Sequence, residues 1–417
     1  MIQLQQIITR RRMMVFFAVM GPGIIAAIAD NDASGVATYS ILGAKYGYSI
    51  LFFLLIITVL LAITQEMGAR LSIVTGQGLG DLIREEYGIK ISILIFILLM
   101  VANLGTTIAN YAGLVAGFSI FGLPIIPSLI ITTILIGFFI SKGNYKVNQR
   151  IFLTAGLLYV VYIFSAVLAK PNWNLATTSL FLPKNIPIKI DFVFGMMALL
   201  GTTVTPWGQF FISSFIRDKK ITVNHLRYEK LEVFFGAFIT NFFSFFMVVA
   251  CAATLFMHKI QIKNAADAAL AIMPFAGAFA SHFFGIGLII ASFMGAVIVP
   301  LTTAYAFAEF FGVEGSLDKS FTESKQFHLI FFAQIVIAFI IVLIPRFSLF
   351  KIVLYTQSLN GALLPVIIYF LLRFCNDSER MGRYINNKLF NYLSVFFSVI
   401  IVIASLTIAV SGIFGIL

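Results

Sequence analysis

The chain has 417 residues, of which 60% are hydrophobic and only 11% are charged. Its mean hydropathy of +1.01 excludes a soluble domain and predicts a polytopic protein embedded in a lipid bilayer. The net charge of +11 does not indicate a nucleic-acid-binding surface, because the lysines and arginines are scattered over short segments between apolar stretches.

Windows of about 20 apolar residues predict eleven membrane spans. They lie near residues 14–43, 48–75, 91–118, 124–141, 151–169, 191–216, 231–257, 282–311, 327–345, 350–373 and 389–414. A short extra helix is predicted within 264–281. The expected fold class is therefore an all-α polytopic membrane protein, with residues 1–417 forming a single transmembrane domain.

The lysines and arginines also predict the orientation, since cytoplasmic loops carry an excess of them. With the N-terminus inside, 19 of the 28 basic residues fall in cytoplasmic segments, including Arg10–Arg12, and 8 fall in external segments. We therefore expect a plasma-membrane protein with a cytoplasmic N-terminus and an external C-terminus.

The first span carries two carboxylates near its middle, Asp30 and Asp32, in the stretch A-D-N-D-A-S-G. An ionisable residue at membrane depth costs roughly 2.5–3.5 kcal/mol on insertion scales and therefore suggests a functional site. Asn31, Ser34 and Gly35 are poor helix formers, so the pattern predicts a broken helix that lines a polar cavity. The alternative is a polar kink that pairs with a neighbouring helix and binds no ligand.

The sixth span is interrupted in a similar way by Pro206, which lacks a backbone N–H and clashes with the preceding turn. Small and polar residues surround it: Gly201, Thr202, Thr203, Thr205, Gly208 and Gln209. Two broken helices five spans apart predict an inverted repeat with its binding site between the breaks. The repeats would cover about 14–169 and 191–373, followed by an extra helix at about 389–414.

Several motifs resemble the NRAMP divalent-metal transporters over nearly the whole chain. They are G-P-G at 21–23, G-A-K-Y-G-Y at 43–48, A-R-L-S-I-V-T-G at 69–76, G-T-T-V-T-P-W at 201–207, T-Q-S-L at 356–359 and R-M-G at 380–382. The resemblance implies a LeuT-type fold of five plus five inverted helices, with helices 1 and 6 interrupted and an eleventh helix added. It further implies a transporter rather than an enzyme, with no cofactor besides the transported cation and with a monomer favoured.

The metal-binding motifs depart from the family pattern. The first-span motif Asp-Pro-Gly-Asn aligns with residues 32–35, so the liganding Asp is kept as Asp32 and the liganding Asn is replaced by Gly35. The sixth-span motif Met-Pro-His aligns with residues 205–207, so Thr205 replaces the Met and Trp207 replaces the His.

These replacements predict which ion the protein binds. A thioether favours softer transition metals, whereas Mg²⁺ keeps several waters and is held by one or two carboxylates. The altered site therefore resembles that of the NRAMP-related magnesium transporters, and Mn²⁺ is expected as a second substrate. The predicted metal site, with Asp32 as principal ligand and Asp30 as secondary ligand, comprises Asp30, Asp32, Gly35, Thr205, Gln357 and Asn360. The predicted cavity wall comprises Asn31, Ser34, Thr202, Trp207 and Gln209.

Some of these polar residues have equally simple structural interpretations. Gln357 and Asn360 have two equally good interpretations: they form hydrogen bonds between helices, or they supply outer-shell oxygens to the ion. An i,i+4 ion pair is the favoured interpretation for Glu66 and Arg70.

Proton coupling is not expected, because the family's titratable groups are missing. In the third span, the region where the family carries an Asp and a Glu linked to proton movement contains Asn103, Thr106, Thr107 and Asn110. Helix packing is favoured over a pathway for this polar stripe. A second family His corresponds to about Ile212. Only the two first-span carboxylates remain as buried candidates, which predicts uncoupled, facilitated transport.

Two alternatives stay open. One is a proton-coupled Mn²⁺ or Fe²⁺ transporter, against which the missing Met and His residues argue. The other is a family-like protein that binds an organic solute or acts as a sensor without moving metal. The discriminating property is whether Asp32 binds metal.

Overall fold

A computed structural model describes residues 21–141, 145–183, 186–187, 189–260, 262, 265–344 and 349–413. Within these ranges the regular secondary structure is helical throughout, as predicted. The start of the first predicted span and Arg10–Arg12 lie outside the described residues, so the location of the N-terminus stays a prediction.

Eight of the α-helices among the described residues lie in the first part of the chain. They are α1 (Pro22–Ala29), α2 (Ala33–Tyr46), α3 (Leu51–Thr75), α4 (Leu79–Ile120), α5 (Ile125–Ser141), α6 (Tyr145–Leu157), α7 (Val161–Leu168) and α8 (Trp173–Phe181). The long helix α4 bends at Gly88, whose φ of 72° is readily adopted only by glycine.

Nine more α-helices follow within the described ranges. They are α9 (Ile190–Thr203), α10 (Pro206–Asp218), α11 (Leu226–Cys251), α12 (Ala265–Ala276), α13 (Ala278–Phe311), α14 (Lys325–Val342), α15 (Leu349–Cys375), α16 (Ser378–Met381) and α17 (Lys388–Ile413). Helix α12 is the predicted short helix ahead of the eighth span.

Both predicted breaks are present. The first span divides into α1 and α2 at residues 30–32, and the sixth divides into α9 and α10 at residues 204–205. Among the described residues, eight helices are long and apolar enough to cross a membrane, or nine if the pair Leu359–Cys375 and Ser378–Tyr384, bent by 62°, is one span. Each predicted span contains a helix, but the count of eleven stays a prediction.

The broken helices lie at the centre of the bundle. Helices α1 and α2 pack on α11, α10 packs on α3, and α9 packs on α15. Glycines allow these close approaches: a Cβ at Gly201 would lie 2.7 Å from the Gln357 carbonyl oxygen. Large apolar side chains such as Ile134, Phe238 and Ile403 are exposed on the outer surface, as expected where a protein faces lipid.

Candidate metal site

The two breaks meet at Asp30. Thr205 Oγ1 donates a hydrogen bond of 2.7 Å to Asp30 Oδ1, and Gln65 Nε2 donates one of 3.1 Å to Oδ2. The same threonine caps α10, since its hydroxyl accepts from Gly208 N at 3.1 Å. A residue of the first break is thereby joined directly to a residue of the second.

Asp32 is the N-cap of α2. Its Oδ1 accepts from Ser34 N at 2.9 Å, Gly35 N at 3.0 Å and Ser34 Oγ at 2.5 Å, which satisfies donors that a helix start leaves free. Its Oδ2 accepts from Asn110 Nδ2 at 2.8 Å, and Asn110 Oδ1 accepts from Ala33 N at 3.0 Å. The amide of Asn110 therefore holds the carboxylate from α4.

Both carboxylates have neutral hydrogen-bond partners only, and none of the ion pairs in the described parts of the chain involves them. Asp30 is 1% exposed and Asp32 2% exposed, and their charges interact with each other. Burying two carboxylates without a compensating cation is costly. A cation bound between them would offset this cost.

Any further ligands of such a cation would be neutral oxygens. The described residues contain no group of three or more His, Cys, Asp or Glu side chains that could hold a metal. They do contain buried polar oxygens without a hydrogen-bond partner on the central helices: Gln65 Oε1, Thr202 Oγ1, Gln209 Oε1, Gln357 Oε1 and Asn360 Oδ1. Such oxygens suit a hydrated cation, whose waters can donate to them.

Gln65 was missed by the sequence analysis, although it contacts Asp30 directly. A glutamine inside an apolar span was the available signal. The neighbouring Glu66 offered a simpler explanation for polarity there, namely its pairing with Arg70. That pairing is confirmed, with Arg70 Nε 3.0 Å from Glu66 Oε1 and Nη2 3.1 Å from Oε2.

Asn31, predicted as a cavity wall, anchors the first break to α11. Its Nδ2 donates to Thr240 O at 2.7 Å, and its Oδ1 accepts from Ser244 Oγ at 2.8 Å. Both polar ends of its amide are therefore used. Ser34, also predicted as a cavity wall, donates a hydrogen bond to Asp32. Trp207, predicted as a cavity wall too, is buried, and its Nε1 has no hydrogen-bond partner among the described residues.

The polar stripe of the third span divides into two roles. Asn103 Nδ2 donates to Thr303 Oγ1 of α13 at 2.8 Å, and Asn360 Nδ2 lies 3.4 Å from Thr106 Oγ1, as helix packing predicts. Asn110 differs, because it contacts Asp32 of the candidate site.

The expectation that only Asp30 and Asp32 are buried carboxylates is wrong. Four glutamates are also buried: Glu66, Glu229, Glu232 and Glu309. Glu229, Glu232 and Glu309 lie near helix ends, where the sequence places them at the membrane edge, but neighbouring helices bury them, and Glu66 is buried within α3 beside Arg70. Glu309, for example, accepts from Ser214 Oγ at 2.6 Å and Gly80 N at 2.9 Å.

Both carboxylates are buried in the described conformation. A cavity of about 240 Å³ lies between α2 and α9, and the ion pair Lys45–Asp191, with Nζ and Oδ2 2.5 Å apart, lies on its wall. At the other end of the sixth span, Arg217 forms an ion pair with Asp81, with Nη1 and Oδ2 2.5 Å apart.

Comparison with known proteins identifies the family of this chain. The family model described as "Natural resistance-associated macrophage protein-like" (Nramp) matches residues 23–411. The chain belongs to the Nramp family. It is 27% identical over 286 residues to the divalent metal cation transporter MntH of Bacillus subtilis (strain 168), covering 65% of this chain and 66% of that protein. It is also 27% identical over 217 residues to MntH of Agrobacterium fabrum, covering 51% of this chain and 46% of that protein.

Solved structures show that this Nramp protein has a LeuT-type fold, as predicted. A mutant of the Eremococcus coleocola manganese transporter superposes with a TM-score of 0.77 at 17% identity, covering 96% of this chain and 88% of that one. The nucleobase-cation-symport-1 transporter Mhp1 gives 0.54 at 15% identity (93% and 91% covered), and a Na⁺-coupled sialic acid symporter gives 0.57 at 13% (94% and 88%). These proteins are named as transporters, in agreement with the prediction that the chain is not an enzyme.

Proposed function

We propose that this Nramp protein moves divalent metal cations into the cytoplasm across the plasma membrane and that Mg²⁺ is its main substrate. The observation that carries the proposal is the pair Asp30 and Asp32, buried at a helix break with neutral partners only. The relatives named as divalent metal cation and manganese transporters support the class of substrate. Uptake into liposomes tests the proposal directly.

Asp30 and Asp32 supply the charge that binds the ion. The sequence ranks Asp32 first, through its alignment with the family ligand. The geometry favours Asp30 as an equal partner, because each of its oxygens accepts one hydrogen bond while Asp32 Oδ1 accepts three. Thr205 adds a hydroxyl at Asp30, and Gln357 and Asn360 add neutral oxygens from the tenth span.

The chemistry of these ligands suits Mg²⁺, because it does not select for softer metals. None of the hydrogen-bond partners of either carboxylate in the described part of the chain is a sulfur atom, so the thioether that would select for softer metals is missing from these contacts. Mg²⁺ gives up its waters reluctantly, and the unpartnered amide oxygens can accept hydrogen bonds from the waters it keeps. The names of the relatives favour Mn²⁺ as the second candidate substrate.

Exchanging the altered ligands should shift the selectivity. Thr205→Met combined with Gly35→Asn restores a thioether and an amide, so the ratio of Mn²⁺ to Mg²⁺ uptake should rise at least about tenfold, equivalent to about 1.4 kcal/mol. The control is Gly35→Ala, because a Cβ there lies 3.0 Å from Asp30 O and tests the steric effect alone. Competition uptake in liposomes measures the ratio. An unchanged ratio in the double variant would contradict the assignment of these positions.

A further inference from the structure

A single carboxylate holds the start of α1. Glu232 Oε1 accepts from Gly21 N at 2.9 Å and Ile24 N at 2.8 Å, and Oε2 accepts from Gly23 N at 2.9 Å. Pro22 has no N–H, so this one side chain of α11 satisfies every backbone donor from residue 21 to residue 24. The positive end of the α1 dipole adds to the attraction.

The contact between the two helices is also unusually close. A Cβ at Gly23 would lie 2.6 Å from Glu232 Oε2 and 2.7 Å from Val233 Cγ2, so a side chain there would force α1 away from α11. Helix α1 has eight residues and ends at the break that begins at Asp30. A short helix next to a break can move as a unit about that break.

A second carboxylate lies beside the first. Glu229 is three residues before Glu232 in α11, and both are fully buried. Neither oxygen of Glu229 accepts from a donor among the described residues, and its carboxyl group lies within interaction distance of that of Glu232. Lys219 is near both: burial lowers the pKa of its ammonium group, and the two glutamates act to raise it. Because the backbone N–H groups at the start of α1 all donate to Glu232, Glu229 receives no hydrogen bond from them.

We propose that Glu229 and Glu232 form a second divalent-cation site, which a cation occupies when the start of α1 leaves Glu232. On leaving, α1 would remove three N–H donors and a positive helix end from Glu232, so that two carboxylates on one face of α11 would then lack backbone donors. A hard divalent cation, held by one or two carboxylates and its own waters, restores the charge balance.

The α1 terminus and the cation therefore compete for the same carboxylate. The length of α1, about 12 Å, separates this pair from Asp30. The inference takes its cation class from the proposed function and adds a site that the cation reaches after leaving Asp30.

Binding of Mn²⁺ to the purified full chain, measured by electron paramagnetic resonance of the free ion, tests the site. In an Asp30→Ala, Asp32→Ala background one Mn²⁺ should still bind, and adding Glu229→Gln should weaken that binding at least about tenfold. Adding Gly23→Val instead should tighten it, because the valine keeps α1 off α11. Glu309→Gln, at a buried carboxylate with its own donors, should leave it unchanged.

Unchanged Mn²⁺ binding after Glu229→Gln, or no gain from Gly23→Val, would overturn the inference. Glu232→Gln is an independent variant in case Glu229→Gln does not fold, since its amide oxygen still accepts from the α1 backbone, and it should weaken binding by a similar factor. Failure of the central site gives a different pattern. The double Asp variant would then bind as many Mn²⁺ ions as the wild type, while Glu229→Gln would still reduce the number.

Discussion

Asp32→Asn should abolish Mg²⁺ binding while keeping the fold. Asparagine caps helices as well as aspartate does, so α2 retains its N-cap, but the buried negative charge is lost. Asp32→Ala should also abolish binding and should lower the unfolding temperature further, since replacing a cap by alanine costs about 1 kcal/mol. Calorimetry on the purified protein measures binding, and a thermal melt measures stability.

The matching change at the other carboxylate, Asp30→Asn, should weaken Mg²⁺ binding by at least about tenfold. Ser34→Ala is the control, because it removes a hydrogen bond to Asp32 without removing charge. Binding by Asp32→Asn equal to that of the wild type would show that Asp32 is a helix cap and not a ligand.

Mg²⁺ uptake should proceed without proton movement. The group that contacts Asp32 from the third span is the amide of Asn110, which does not titrate. The membrane potential suffices as a driving force: two charges at about 2.3 kcal/mol each per 100 mV give roughly 4.6 kcal/mol, or about a thousandfold accumulation. A pH-sensitive dye inside liposomes should therefore report no acidification during uptake.

The matched variant for this prediction is Asn110→Glu. It places a titratable carboxyl group beside Asp32, so its Mg²⁺ uptake should become more dependent on pH than that of the wild type. Lumen acidification by the wild type that requires Mg²⁺ and vanishes in Asp32→Asn would show that protons accompany the ion. The buried glutamates would then be the first carriers to examine.

The helix breaks could be predicted because their causes are local. Asn31, Ser34 and Gly35 are poor helix formers, and Pro206 removes a backbone donor, whatever surrounds them. The contacts of the site could not be predicted in the same way. Gln65 reaches Asp30 from 35 residues away, so this contact depends on how helices pack.

The buried glutamates show the same limit. A hydropathy window places Glu232 at the membrane edge, yet donors 208 to 211 residues earlier in the chain bury it. Asn31 shows the reverse case. It stands between two candidate ligands in the sequence, but its amide is used entirely by α11.

Uptake of Mg²⁺ and Mn²⁺ into liposomes with an internal fluorophore tests the central claim most directly, with Asp32→Asn as the matched variant. Wild-type protein should transport both ions with little discrimination between them, and the variant should transport neither. Wild-type uptake no faster than that of protein-free liposomes would contradict transport, and block of Mg²⁺ uptake by Mn²⁺ at about a thousandfold lower concentration would contradict magnesium as the main substrate.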